Sequence, residues 1–334
     1  MQPVSSCRFD ASSVYRVPDF ECPVLPFQQE ASDSVLEMSA LNAFLLGCAN
    51  AMNFFPDSSL QRLVLLAPRQ LAGRPGFGRL SADQTLHDQL LNEMQRFRGA
   101  IYLSDGAIRD SDLTADGRHC QAVDNESWHV LSLGRHNVIK GCSRYREYPE
   151  FVRFGDLGVS HSEIARSEVW GNRLTQAIQN EALVARQRGI SLVEVGGWAI
   201  AKEARFSTDA LRLALSTFAL ARMLGGCIGL TTATVRHCSA AILRKLGGRS
   251  LHVDGQEIPR YFDTAYDCDM EILRFDSDEP NPRYMETLDR LTADLASSEV
   301  VRADRALLTP PVWAAARERT NVPATSQLLA QIAA

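Results

Sequence analysis

The sequence predicts a mixed α/β fold with one central, largely antiparallel sheet flanked by helices. Short apolar strand segments alternate with amphipathic helical segments between residues 81 and 276, and strand pairs stand at both ends of this region. Alternation of this kind favours a single sheet with helices packed on its faces. The paired strands at either end favour antiparallel hairpins.

The first 80 residues are predicted to form an N-terminal extension of an irregular arm and two helices. Prolines interrupt residues 1–30, so little regular structure is expected there. A helix is predicted over 32–51, and a second short helix over 56–66. The Gly-, Pro- and Arg-rich residues 68–80 are predicted to be a linker.

The elements of the central region follow from hydrophobic periodicity. Ser81 is a favourable N-cap residue for the first helix. In chain order, the predicted elements are a helix over 82–98, strands over 128–133 and 138–145, a helix over 162–188, a strand over 191–201, a helix over 207–224, a strand over 227–232, a helix over 237–246, and strands over 249–253 and 268–275. A further amphipathic helix over 282–298 is predicted, followed by a loose tail.

The bulk composition is that of an ordinary globular protein and gives no reason to expect nucleic-acid binding. Apolar residues make up 45% of the 334 residues, and 35 basic against 40 acidic residues give a net charge of −5. The most apolar stretch, 35–55, contains too many polar residues for a transmembrane segment. The eight cysteines are scattered without a CxxC pair, which predicts reduced thiols. We therefore expect a cytoplasmic protein in three parts, over 1–80, 81–276 and 277–334.

Several familiar chemistries are not indicated. The sequence has no Walker P-loop, GxGxxG, GxSxG or HExxH motif. Its histidines are never three or four positions apart, so no local metal site is predicted.

The segment over 192–248 carries the clearest chemical signal. Glu194 stands inside an apolar strand, where a carboxylate is costly unless it is paired or functional. Gly196 and Gly197 follow it and predict a bulge or a close approach by another group. The next helix begins near Ser207, so its free N–H groups would suit a phosphate. Exposed strand edges can also pair with an extended amide chain.

Four local patterns stand in one order along the central region. They are Arg98-x-x-x-Tyr102, Asp124 followed by 128–131, Gly141-Cys142-Ser143-Arg144-Tyr145, and Glu194-Val195-Gly196-Gly197-Trp198, with Leu246-Gly247-Gly248 after them. Together they resemble motifs of the GNAT acyltransferase superfamily. Within it, the sequence is most similar to the acyl-homoserine-lactone (autoinducer) synthases and the long-chain N-acyl amino acid synthases. The resemblance covers about residues 85–275.

This resemblance implies an N-acyltransferase without a tightly bound cofactor. A medium or long acyl chain would move from acyl carrier protein or acyl-CoA to the amine of an amino acid or similar small molecule, and acyl carrier protein would be a partner. The catalytic residues would be Glu194 as general base, Arg144 and Arg98. The donor would be bound by Gly196, Gly197, Trp198, Ala199, Arg205, Ser207 and Thr208.

Two departures from the family pattern bear on the substrates. Residues 205–210 lack the central glycine of the usual pyrophosphate loop, which favours a carrier-protein donor. Gly197 stands where the autoinducer synthases have an arginine, which favours an amide product over a lactone.

Alternatives stay open for the function and for single residues. The protein could be an acetyl-CoA-dependent GNAT acetyltransferase, or a degenerate module that binds an acyl group or a partner without turnover. Glu194 could be a structural acid paired with Arg144, and Arg98 could likewise be a structural ion-pair residue.

Overall fold

A ten-stranded sheet with helices on both faces organises the chain. The computed structural model describes residues 62–69, 77–205, 208–236 and 239–303. The strands are β1 Arg62–Leu66, β2 Arg79–Ala82, β3 Trp128–Leu133, β4 Ile139–Glu147, β5 Ser191–Ile200, β6 Cys227–Thr234, β7 Arg249–Ser250, β8 His252–Val253, β9 Gln256–Glu257, β10 Tyr261–Asp263, β11 Cys268–Asp276 and β12 Glu299–Arg302. The helices are α1 Gln84–Ser104, α2 Gly171–Gln187, α3 Thr208–Met223, α4 Ser239–Lys245 and α5 Met285–Ser297.

The sheet is mixed and largely antiparallel, which confirms the predicted fold class. Its strand order is β10-β11-β6-β5-β4-β3-β1-β12-β2, with β7 paired to β11. Only β5–β6, β1–β12 and β12–β2 are parallel among the described strand pairs. The predicted hairpin of β3 and β4 is confirmed as an antiparallel pair.

The two faces of the sheet carry different helices. Leu63 and Leu65 of β1 pack with residues of α3 and α5, while Val64 and Leu66 pack with α1. This alternation is the period of two expected of a strand, and it places α1 and α3 on opposite faces. Helix α2 covers β5, β6 and β11 through Leu174 and its neighbours, with Leu192, Ile228 and Ile272 below it.

The short helix predicted over 56–66 is wrong where the structure describes it. Residues 62–66 form β1, which lies between β3 and β12 and is buried except at Arg62. A short apolar run buried on both faces has no periodicity that separates strand from helix. Long-range pairing decided the conformation here.

Other differences concern where elements begin and end. Residues 79–82 form β2, although 79 and 80 were predicted to belong to the linker and 82 to the helix. The N-cap of α1 is Asp83 rather than Ser81. The Asp83 carboxylate accepts a hydrogen bond from the backbone N–H of Leu86 at 3.0 Å. The helix predicted from residue 162 begins at Gly171, because 3₁₀ turns occupy residues 154–166.

The C-terminal end of the described chain also joins the sheet. The strand predicted over 249–253 is split into β7 and β8, which pair with different strands. Residues 299–302, predicted to be loose, form β12 between β1 and β2. The sheet thus takes strands from both sides of 81–276, and the three-part division stays a prediction. The helix predicted over 32–51 lies outside the described residues.

No helix within the described ranges is long and apolar enough to cross a membrane.

Candidate functional site

A cleft opens where β5 and β6 separate. Their parallel pairing begins at Ser191 with Cys227 and ends at Glu194 with Leu230. Strand β5 continues to Ile200 and β6 to Thr234, so both strands run on without pairing to each other. The space between them is a cleft of about 310 Å³.

A bulge in β5 faces this cleft, as the two glycines predicted. Arg144 of β4 lies opposite Gly196, but Cys142 lies opposite Ala199, so β5 carries one extra residue. Gly197 has φ +61°, in the left-handed region that favours glycine. A Cβ at position 197 would lie 3.2 Å from Arg144 Cβ and 3.3 Å from Arg98 Nη1. A side chain at this position would therefore be strained.

Five of the seven predicted donor-binding residues line the cleft. They are Gly196, Gly197, Trp198, Ala199 and Arg205. Thr208 begins α3, whose next turn supplies two lining residues, while Ser207 lies outside the described residues.

Sequence reasoning missed several residues of the cleft wall. Tyr102 of α1 donates a hydrogen bond to the carbonyl oxygen of Trp198 at 3.3 Å and so ties α1 to the bulge. Arg236, just after β6, donates to the carbonyl oxygen of Tyr266 at 2.5 Å. Asp105, which also lines the cleft, pairs with the predicted Arg205 at 2.6 Å. A basic residue following an apolar strand was the available signal for Arg236.

A small apolar cavity branches from the cleft beneath the sheet. It measures about 60 Å³ and shares Gly196, Trp198, Thr231 and Leu243 with the cleft. Its other lining residues are mainly carbon surface from α3, α4, β6 and β11, including Phe218. The two spaces together offer a polar passage and an adjoining apolar recess.

Glu194 is held by three donors and not by an arginine. Its Oε2 accepts hydrogen bonds from the Tyr148 hydroxyl and from the Gly158 N–H at 2.9 Å, and its Oε1 accepts from the Val159 N–H at 2.8 Å. The alternative in which Glu194 pairs with Arg144 is therefore wrong: their side chains form no ion pair within the described residues, because Arg144 turns to other partners.

Arg98 and Arg144 converge on Asp124 beneath the bulge. Arg98 is fully buried and binds Asp124 through two hydrogen bonds of 3.0 and 2.7 Å. Arg144 donates to the same carboxylate at 3.3 Å and to Gln121. We call these four residues the Asp124 cluster. It brings together two of the three predicted catalytic residues but not the third, Glu194.

The Asp124 cluster is charged in spite of its burial. Burial opposes ionisation of Asp124, but the hydrogen bonds and charge of Arg98 outweigh it and hold the pKa of Asp124 well below its usual range. Burial likewise opposes charge on Arg98, while the contacts with Asp124 raise its pKa above the ordinary value. His129, which hydrogen-bonds with the Asp124 carbonyl oxygen at 2.9 Å, has its pKa lowered to about 4 by burial.

Cys142 is not a nucleophilic thiol, and no metal-ligand set accompanies the site in the described part of the chain. Cys142 is fully buried, and burial raises the pKa of its thiol to about 11, which keeps it protonated. No group of three or more His, Cys, Asp or Glu side chains among the described residues could hold a metal ion.

The chain was compared with protein-family models, curated proteins and solved structures. No protein-family model matches the chain. No curated protein matches it. Among solved structures, it is similar to the CoA-dependent acyl-homoserine lactone synthase BjaI with SAM and isopentyl-CoA, with 14% identity, a TM-score of 0.42 and coverage of 78% of this chain and 99% of that one.

Two further solved structures show the same kind of likeness. FeeM, an N-acyl amino acid synthase from uncultured soil microbes, matches at 14% identity and TM-score 0.35, over 57% of this chain and 88% of that one. A putative N-acetyltransferase from Lactobacillus plantarum matches at 10% identity and TM-score 0.34, over 65% and 98%. The chain is thus similar in structure to an acyl-homoserine lactone synthase, an N-acyl amino acid synthase and a putative N-acetyltransferase.

Proposed function

We propose that the protein is an N-acyltransferase that moves an acyl chain of medium or long length from a pantetheine thioester to the amine of a small molecule. The observation that carries this proposal is the separation of β5 from β6 directly after Glu194, with an apolar cavity branching from the resulting cleft. An acyl thioester needs both a passage for its polar arm and a recess for its hydrocarbon chain.

The cleft supports binding of the donor arm. Beyond Glu194 and Leu230 the edges of β5 and β6 that face each other have no strand partner among the described residues. Their N–H and C=O groups can therefore pair with the amides of a pantetheine arm. Arg205 and Arg236 line the same cleft, and a guanidinium group suits the phosphate of such a donor.

The apolar cavity supports binding of the acyl chain. Its walls include Trp198, Phe218, Leu243 and Phe275, which exclude water from a hydrocarbon chain. A chain seated there would leave its thioester carbonyl near the bulge of β5. Backbone N–H groups of residues 196–199 would then stabilise the oxyanion that forms at this carbonyl.

The transfer itself is direct. The amine nitrogen attacks the thioester carbon, and Glu194 accepts the amine's proton through a water molecule. The C–S bond then breaks to release the thiolate, which takes up that proton from Glu194 through water and leaves as the thiol. A general base of this kind contributes about 10²–10⁴-fold to the rate. No covalent enzyme intermediate is needed, in keeping with the protonated state of Cys142.

The bulge bears on the product. An arginine at position 197 would need a Cβ within 3.3 Å of Arg98 and a left-handed backbone, so this bulge disfavours the arginine of the autoinducer synthases. We therefore propose an N-acyl amino acid or another amide as the product rather than a lactone. The sequence over 205–210, which lacks the central glycine of the usual pyrophosphate motif, supports acyl carrier protein as the donor.

Acyl transfer by the purified protein tests this function. Wild type would be given octanoyl and palmitoyl chains on acyl carrier protein or on CoA, with acetyl-CoA beside them, and a panel of amino acids as acceptors. We expect new N-acyl amides by mass spectrometry, and about a 10²-fold or greater loss of kcat in Glu194→Gln. Glu286→Gln, on the exposed side of α5, is the matched control.

The outcomes separate the competing functions. Transfer from acetyl-CoA alone would replace our proposal with the acetyltransferase alternative. Binding of acyl carrier protein without product, unaffected by Glu194→Gln, would favour the module without turnover. The same variants expressed in a bacterial host, with mass spectrometry of lipid extracts, would identify both substrates from their masses.

A further inference from the structure

Tyr148 lies between an arginine and the proposed general base. It follows β4 directly, and only 7% of its surface is exposed. The guanidinium carbon of Arg146 lies 4.5 Å from the centroid of the Tyr148 ring, and Arg146 Nη1 donates to the Tyr148 hydroxyl oxygen at 2.9 Å. Arg146 Nη2 also donates to Glu126 at 2.8 Å. The arginine is therefore fixed on two sides.

The contact with Arg146 fixes the direction of the hydroxyl proton. A guanidinium has donors only, so the Tyr148 oxygen is the acceptor in that contact. Its single proton is then directed to Glu194, to which it donates. Burial, and next the charge of Glu194, raise the pKa of Tyr148 well above its ordinary value. The phenol accordingly stays a donor throughout the physiological pH range.

The two carboxylate oxygens of Glu194 accept different numbers of hydrogen bonds. Oε2 receives both the Tyr148 hydroxyl and the Gly158 N–H, whereas Oε1 receives only the Val159 N–H. A carboxylate oxygen has two acceptor positions. Oε2 is thus fully occupied, and Oε1 keeps one acceptor position that no described residue fills.

We propose that Tyr148 is a positioning residue for Glu194, which it orients so that Oε1 is the atom that receives the proton of the acceptor amine. This inference rests on the proposed function. Neither Tyr148 nor Glu194 is among the residues that line the cleft or the apolar cavity, so Tyr148 acts on the reaction through Glu194, which reaches the amine through a water molecule.

The Tyr148→Phe variant tests the inference in the same transfer assay. A carboxylate released from its orientation costs about 10- to 100-fold in kcat, while the KM of the donor should stay unchanged because the cleft is untouched. The double variant Tyr148→Phe with Glu194→Gln should have the kcat of Glu194→Gln alone. Tyr261→Phe is the matched control, since its hydroxyl hydrogen-bonds with Ser162 instead.

Several results would overturn the inference. If Tyr148→Phe has the kcat of wild type, the inference is wrong while the proposed function stays intact. The same holds if the fold-losses in kcat of the two single variants multiply in the double variant. A wild type without any transfer would instead refute the proposed function, and this inference with it. Arg146→Met is a second probe should Tyr148→Phe fail to fold: it keeps the ring and frees the hydroxyl, and a kcat equal to wild type would again contradict us.

Discussion

The two edges of β5 differ in how far they pair with the neighbouring strands. On the β4 side, pairing resumes after the bulge, with Ala199 opposite Cys142 and Ile200 opposite Gly141. On the β6 side, pairing stops at Glu194 and does not resume in the described part of β6. The first edge is closed over the bulge, while the second is open along the cleft.

This difference indicates that strand pairing resumes beyond a bulge only where other residues support the bulge. The Asp124 cluster lies directly under Gly197 and fills the space beneath the bulge with hydrogen-bonded charge. Tyr102 fastens the next residue, Trp198, from α1. Nothing similar ties β5 to β6 within the described residues beyond Leu230, so the divergence of the sheet falls on that side, where a ligand can enter.

Loss of the Asp124 charge should break the closed edge most strongly. In Asp124→Asn, the fully buried Arg98 would lose its counter-charge, and removal of one partner from a buried ion pair costs about 3–5 kcal/mol. We expect this decrease in the free energy of unfolding, measured by urea denaturation. Asp289→Asn, which removes an exposed pair with Arg222, should change it far less. Equal effects of the two substitutions would show that the cluster does not support the bulge.

Low pH should destabilise the fold through His129, which hydrogen-bonds with Asp124 of the cluster beneath the closed edge. Its folded-state pKa of about 4 lies below the roughly 6.5 of an unfolded histidine. Between these values the unfolded chain binds the extra proton, so stability is complete above about pH 6.5 and decreases as the pH falls towards 4. His129 alone accounts for a loss of about 2 kcal/mol at pH 5 relative to pH 8. His119 acts in the same direction, because burial lowers its pKa as well.

Urea denaturation at pH 8, 6.5 and 5 checks this dependence. The His129→Gln variant keeps a donor for the Asp124 carbonyl oxygen but does not titrate, so its stability should depend less on pH than that of wild type. If the free energy of unfolding of His129→Gln depends on pH as steeply as that of wild type, His129 is not the source of the pH dependence.

Local sequence patterns were sufficient to predict much of the structure along both edges of β5. The strand around Glu194, the bulge at Gly196 and Gly197, and the β3–β4 hairpin all follow from residue types within a few positions of one another. Glycine inside a strand typically marks a bulge or a close approach by another group, which explains why the bulge could be predicted.

Contacts between distant residues could not be predicted in this way. Strands β1 and β12 are more than 230 residues apart along the chain, and nothing in either short run identifies its partner. The partners of Glu194 have the same origin, because Tyr148 and Val159 reach it from other elements. A carboxylate in a strand predicts that a partner exists, but the partner depends on the fold.

A side chain at position 197 should distort the bulge. Gly197→Ala would carry a left-handed backbone, which costs about 1–2 kcal/mol for a residue with a Cβ, and its Cβ would press on Arg144 at 3.2 Å. Gly196→Ala is a close control, since its Cβ would meet only Arg144 Nη2, at 3.6 Å. Urea denaturation should find Gly197→Ala the less stable variant. The reverse order would place the strain of the bulge at Gly196.

The smallest expected effect concerns the tie between α1 and the bulge. Tyr102→Phe removes the hydrogen bond to the Trp198 carbonyl oxygen and leaves that oxygen without its side-chain donor. We expect a loss of about 0.5–1.5 kcal/mol in the free energy of unfolding, the usual contribution of one hydrogen bond. Tyr266→Phe is the control, because it removes a hydroxyl from the lining of the same cleft and leaves the hydrogen bond between Tyr102 and Trp198 in place. A Tyr102→Phe variant as stable as Tyr266→Phe would mean that the Asp124 cluster closes this edge without help from α1.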